Sequence, residues 1–454
     1  MSTITELATR TPTTRLRHVD LLRAVAIIAV VLGHWLLMTV ERTADGRLIG
    51  YTALPQLADV HHLTWVFQVM PLFFLVGGFA NAISWNRHQG RGRDAGSWLL
   101  DRSRRVFPPM TVLLLTVAVG ALVAGQAGVY ARLLTDVVAV VVLPLWFLVV
   151  YLAVILLTPV MLRLHRRFGL RVVAVMLAVV VVGDVLRLTT GLEGLASASS
   201  VFGWLAMHQT GFAWQDGSLR LTARRAALLF AGAVAALLLL TGVGPYPVSM
   251  VSVPGAAMQN PSPPSVALMV LATAQLALAV LVSGPAERWM ARRRPWAFVV
   301  GLNGVALTLF LWHMVAAFVG ALLLDVAGWL PSADVGSSAW WLGRVPWLLT
   351  LTVVMGLLVV TVGRMETRIL LRKAAAPAGA SRPAVSLPLV AGCYLAAVGG
   401  MLWLAASGPG PHGIFKVPTG ALALVLAASA VLAVARARAS SGRATASAAP
   451  AVER

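Results

Sequence analysis

Three residues near the start of the chain have types and spacing that can do chemistry. In the stretch RHVDLLRAVAIIAVVLGHW, Asp20, Arg23 and His34 lie in or beside an apolar run. Read as a helix, the step from Arg23 to His34 turns roughly 20° past three full turns and rises roughly 16 Å. Guanidinium and imidazole therefore share a face, with Asp20 about 40° from the imidazole. A neutral imidazole is the usual general base near neutral pH, and an arginine fork grips phosphates and carboxylates. Ionisable groups at membrane depth are costly and point by default to function, although many only pair structurally. The competing reading is that Asp20 and Arg23 anchor the helix at the headgroups while His34 satisfies a nearby backbone group.

Membrane helices must position these residues. Of the 454 residues 59% are hydrophobic and only 11% charged, with a mean hydropathy of +0.84, which excludes an ordinary soluble protein. Runs long enough to cross a bilayer fall near 21–40, 63–84, 107–128, 134–162, 172–188, 199–214, 225–243, 264–283, 297–324, 345–363, 386–407 and 418–435. The run 199–214 is short and polar, with His208 and Gln209, and 134–162 contains Pro144 and Pro159 as bends. The first run, with Asp20 and Arg23 at its start and no small-residue cleavage site after His34, reads as a retained helix.

The net charge of +20 would suggest nucleic acid in a soluble chain. Here it follows topology. With the N-terminus cytoplasmic, only Arg42, Arg47, Arg132, Arg187, Arg344 and Lys416 of the 36 Lys and Arg fall on the outer side. The expectation is a multi-pass protein of the cell's inner (plasma) membrane, both termini cytoplasmic, with no nucleic-acid partner. Cys393 is the single cysteine, so an internal disulfide and a Cys-based metal site are excluded. His61 and His62 would bind metal only with a third ligand, and no metal site is expected. The tryptophans at 65, 329, 340, 341 and 347 read as an outer aromatic belt.

The spacing Arg23-x10-His34 resembles the first-helix signature of the acyltransferase 3 family of integral-membrane O-acyltransferases. MPLFFLVGGFANAISW (70–85) is similar to that family's FF-x-x-S-G-F helix, with Gly77 where serine is usual. DRSRRVFPP, PLWFLVVYL and LTLFLWHM, the last containing His313, resemble later family segments in the family's order, over residues 15 to about 366. The resemblance implies that His34 is the catalytic residue and that Arg23 is required. The apolar runs and this resemblance together give an all-α polytopic fold with an acyltransferase 3-like ten-helix body (1–373); beyond a Pro-, Ala- and Ser-rich linker (374–386), the hydropathy gives two C-terminal transmembrane helices (387–435) that fall outside the resemblance. A disordered cytoplasmic tail (436–454) follows.

The implied reaction moves an acyl group, expected to be acetyl, from cytoplasmic acyl-CoA to a hydroxyl of a carbohydrate or glycoside acceptor. Acyl-CoA is then a co-substrate, with no bound cofactor, and the lipid bilayer is the remaining partner. Its phosphates call for arginines at the inner edge, for which Arg102, Arg104 and Arg105 are the candidates. Asp184 can orient an imidazole or pair with Arg187 one turn on. His313 is a supporting candidate or a helix-packing residue. Gly77 and Gly78 can leave room for the donor's pantetheine arm. The outer loop 243–263 is a candidate lid or acceptor contact. The rival reading is a twelve-helix secondary transporter, against which no second copy of the Arg-x10-His helix is found. Oligomeric state is not legible.

Overall fold

The computed structural model describes residues 15–44, 46–191, 199–364, 368, 386–408 and 413–447. The helices are α1 (Arg17–Leu37), α2 (Met70–Gln89), α3 (Ala95–Gln126), α4 (Ala131–Val142), α5 (Leu145–Phe168), α6 (Arg171–Thr190), α7 (Ser200–Gln215), α8 (Ala223–Gly242), α9 (Val266–Met290), α10 (Arg293–Gly304), α11 (Ala306–Val326), α12 (Ser338–Thr361), α13 (Leu387–Ala406) and α14 (Thr419–Ser447). Among the described residues, 11 helical stretches are long and apolar enough to cross a membrane. The fold is all-α and polytopic.

Several expected spans change in detail. The run 199–214 forms α7, whose 16 residues fall short of a bilayer crossing. The run 134–162 divides into α4 and α5 at Leu143 and Pro144, because proline cannot continue the helix before it. The run 297–324 divides into α10 and α11 at Val305, just after Gly304. Helix α1 ends at Leu37 rather than at 40, and the chain turns into an antiparallel hairpin, β1 (Met38–Arg42) with β2 (Leu48–Thr52). Thr39 and Val40 favour extended backbone, and Asp45-Gly46 is a turn signal. Helix α14 continues to Ser447, past Arg436, where the disordered tail was expected to begin. Residues 374–385 of the expected linker and 448–454 of the tail lie outside the described residues.

The chain forms two compact units. The first comprises Met1–Ile83, Val160–Ala306 and Val319–Val353. Its apolar core joins α1, α2 and α9 through Val19, Leu72, Val76, Phe79 and Leu276, and joins α1 to α10 through Ala24, Met290, Trp296 and Val299. The second comprises Ser84–Pro159, Leu307–Phe318 and Val354–Arg454. There Trp85 meets Trp98 edge-on at 5.5 Å, and Phe147 meets Phe310 at 5.0 Å. Helices α13 and α14 cross at Gly400, where a Cβ would lie 2.9 Å from the Ala421 carbonyl oxygen.

Candidate active site

Arg23 and His34 stand on one unbroken helix, so the face and rise expected from their spacing hold. Near its start, α1 is pinned by charged and aromatic contacts. Arg15 donates two hydrogen bonds to the Asp20 carboxylate, at 2.6 and 2.9 Å, and these raise the Arg15 guanidinium above its ordinary pKa. Arg17 donates to the Met290 carbonyl and lies 5.0 Å over the Trp296 ring. His18 approaches Glu287 at 2.6 Å.

The carboxylate of Asp20 thus serves Arg15 rather than Arg23. Arg23 instead donates from Nε to the Oδ1 of Asn303, at 2.6 Å. Asn303 in turn donates to the carbonyls of Asp20 and Val299, at 2.9 and 3.0 Å. One side chain therefore ties the guanidinium to α1 and α10 together, just before the break at Val305. A hydrogen bond to a charged group is worth about 1.5–3 kcal/mol, enough to hold a long flexible side chain in one geometry. Sequence reasoning missed Asn303, although the Gly301-Leu302-Asn303-Gly304 run inside an apolar segment is a recognisable breaker.

His34 lies in the last turn of α1, closer to the helix end than the expected span implied. Its imidazole hydrogen-bonds the Val30 backbone one turn back. The side chain keeps exposed surface, while Val31 and Trp35 beside it are buried. The α1 end is clamped by α12: Trp347 donates to the Trp35 carbonyl at 2.8 Å, and Arg344, sandwiched between Trp340 and Trp347, donates to the Met38 carbonyl at 2.8 Å. Trp340 and Trp347 are therefore buried clamps and not members of an aromatic belt, whereas Trp329 and Trp341 are exposed.

The expected room beside Gly78 is occupied. A Cβ there would lie 1.9 Å from the His208 carbonyl oxygen, and one at Gly211 would lie 2.1 Å from that of Leu75. Helices α2 and α7 cross backbone to backbone through these two glycines. At Gly77 the nearest atom would be His208 Cδ2 at 3.9 Å, ordinary contact. Beside this crossing Asn81 donates to His208 Nε2 at 3.1 Å, and His208 is 1% exposed.

Asp184 accepts from the Tyr246 hydroxyl at 2.9 Å and from the Val266 N–H at 2.6 Å, so its partners are the 243–263 loop and the start of α9 rather than an imidazole. Burial, together with the Asp184 charge, pushes the Tyr246 hydroxyl well above its ordinary pKa. Trp65, Gln68 and Thr64 bond the same loop at Val248 and Met250, and Arg187 bonds it at Gln259. These bonds tie the loop to α6 and to the segment before α2.

In the second unit His313 is 0% exposed and its Nδ1 donates to the Phe310 carbonyl at 2.6 Å. Along α3, Arg102 lies 5.0 Å over Trp98, Arg104 is 3.8 Å from Asp101, and Arg105 is exposed. Among the described residues no group of three His, Cys, Asp or Glu side chains is placed to hold a metal ion.

A protein-family model described as an acyltransferase domain matches residues 16–365. No curated protein and no solved structure matches the chain.

Proposed function

Since the chain belongs to the acyltransferase 3 family and is a membrane acyltransferase, we propose that it takes an acyl group, acetyl in the first instance, from cytoplasmic acyl-CoA and gives it to a hydroxyl of a sugar-containing acceptor. The observation that carries this reading is that two polar groups share one face of α1: an arginine held by Asn303 and an imidazole that keeps exposed surface. In the reaction the acceptor oxygen attacks the thioester carbonyl and the C–S bond breaks. His34 accepts the hydroxyl proton and passes it to the departing thiolate. A variant of the same chemistry has the acyl group rest first on the imidazole nitrogen.

Coenzyme A is too charged to enter hydrocarbon, so its phosphates stay with arginines at the edge expected to be cytoplasmic. Arg23 is proposed to hold the donor there; Arg102, Arg104 and Arg105, in the second unit, are proposed as donor-binding residues from their charge and their place at the start of α3 alone. The rise of about 16 Å from Arg23 to His34 matches an extended pantetheine arm, so phosphate near Arg23 brings the thioester to His34. The test is purified protein given labelled acetyl-CoA and a panel of sugar acceptors, read as labelled ester formed and coenzyme A thiol released in equal amounts. Solute uptake into vesicles without ester formation would support the transporter reading in its place.

A further inference from the structure

Helix α1 ends at Leu37, and His34 stands in its last turn. The four carbonyls at a helix end have no partner inside the helix. A glycine in the left-handed conformation commonly closes such an end. Here Met38 and Thr39 follow, and Met38 is extended, with φ −69° and ψ 123°. The His34 carbonyl is served locally, by the Met38 N–H. Others draw on distant residues. Trp347 Nε1 donates to the Trp35 carbonyl at 2.8 Å, and the Ala53 N–H, just after β2, donates to the Leu37 carbonyl at 2.7 Å. Arg344 adds its bond to the Met38 carbonyl and brings a positive charge to the negative end of the helix dipole.

The two side-chain donors are themselves held. Arg344 is 4% exposed and lies 4.2 Å over the Trp340 ring and 5.4 Å over that of Trp347. Trp340 shares a cluster with Ala53 and Leu57, and Leu37 packs against it. Helix ends fray readily, whereas this one is fixed by buried groups 306 and 312 residues away in the sequence. Arg23 has a separate anchor in Asn303, so the guanidinium and the imidazole of α1 are set by different parts of the chain. From these contacts we infer that Arg344 and Trp347 are positioning residues for His34: they hold the turn that aims the imidazole. This role rests on the proposed acyl transfer, in which the base must come within hydrogen-bond reach of the acceptor hydroxyl. A misplacement of about 1 Å costs roughly a hundredfold in rate.

The experiment uses the full chain in phosphatidylcholine nanodiscs and takes two readouts. One is steady-state transfer from acetyl-CoA to sugar acceptors, resolved into kcat and KM. The other is hydrogen exchange of the peptide spanning residues 34–42, followed by mass spectrometry, which needs no activity. Trp347→Phe keeps a ring in the core and removes only the donor. It should lower kcat roughly ten- to a hundredfold, leave the KM for acetyl-CoA unchanged, and speed exchange of the Met38 amide. Arg344→Ala should do the same, and Arg344→Lys, which keeps a charge and a donor, should recover part of the lost kcat. Trp329→Phe, at an exposed tryptophan, should match the wild type in both readouts. If Arg344→Ala costs the fold, Trp347→Phe carries the test. Wild-type exchange in Trp347→Phe would overturn the brace. Faster exchange with a wild-type kcat would overturn the positioning role, as would a raised KM at constant kcat. A wild type that forms no ester refutes the proposed reaction and the positioning role with it, while exchange alone still decides whether α12 braces the turn.

Discussion

Helix α1 and the α2–α7 crossing each place a histidine inside an apolar helix, and the first unit treats the two in opposite ways. At the crossing, Gly78 and Gly211 let backbones meet, Asn81 takes the ring of His208, and almost no surface remains. On α1, His34 bonds the Val30 backbone within its own turn and keeps exposed surface. A polar residue at membrane depth is therefore not by itself a sign of chemistry. Under the proposed function, the imidazole that works is the one left uncovered, and the one closed over by a neighbouring helix packs.

That contrast can be broken from the packing side first. Gly78→Ala and Gly211→Ala each push a methyl into a backbone carbonyl, so the helices must part. Overpacking of this kind costs roughly 1–3 kcal/mol or more, and both variants should show a clear fall in Tm or a loss of folded protein in detergent. An unchanged Tm would mean that the crossing is looser than described. A smaller effect is expected at the positioning residue: Asn303→Ala should raise the KM for acetyl-CoA roughly tenfold, from about 1.5 kcal/mol of lost positioning, with kcat changed much less. A fall in kcat at constant KM would give Asn303 a different role. The smallest effect belongs to Gly77→Ser. The nearest atom to the new Cβ is 3.9 Å away, so Tm should move by a degree or two at most and transfer should persist.

Much of this was readable in the residues. The apolar runs and the Arg23-x10-His34 spacing require only composition and a helical period; most of the runs appear as helices, and the spacing holds because α1 is continuous. The functional assignment of residues such as Asp184 and Gly78 was less legible, because it depends on partners far away in sequence. Asp184 could have faced an imidazole as readily as Tyr246 and the start of α9, and no local pattern chooses between them. Gly78 was read as room for the donor arm, and what fills that room is decided by α7, more than a hundred residues on. The hairpin after α1 went unseen because a short β-branched stretch next to a long apolar helix reads as more helix. Asn303 had a signal in its flanking glycines, while its hydrogen bond to Arg23 did not.

The central claim is that the uncovered imidazole of α1 performs the transfer. Its most direct test is a single-turnover assay with saturating labelled acetyl-CoA and an acceptor that the wild type uses, comparing wild type with His34→Ala at matched Tm. The account predicts that His34→Ala keeps its fold and its coenzyme A affinity but forms no labelled ester above the uncatalysed background. Ester formation at the wild-type rate by folded His34→Ala protein would contradict it.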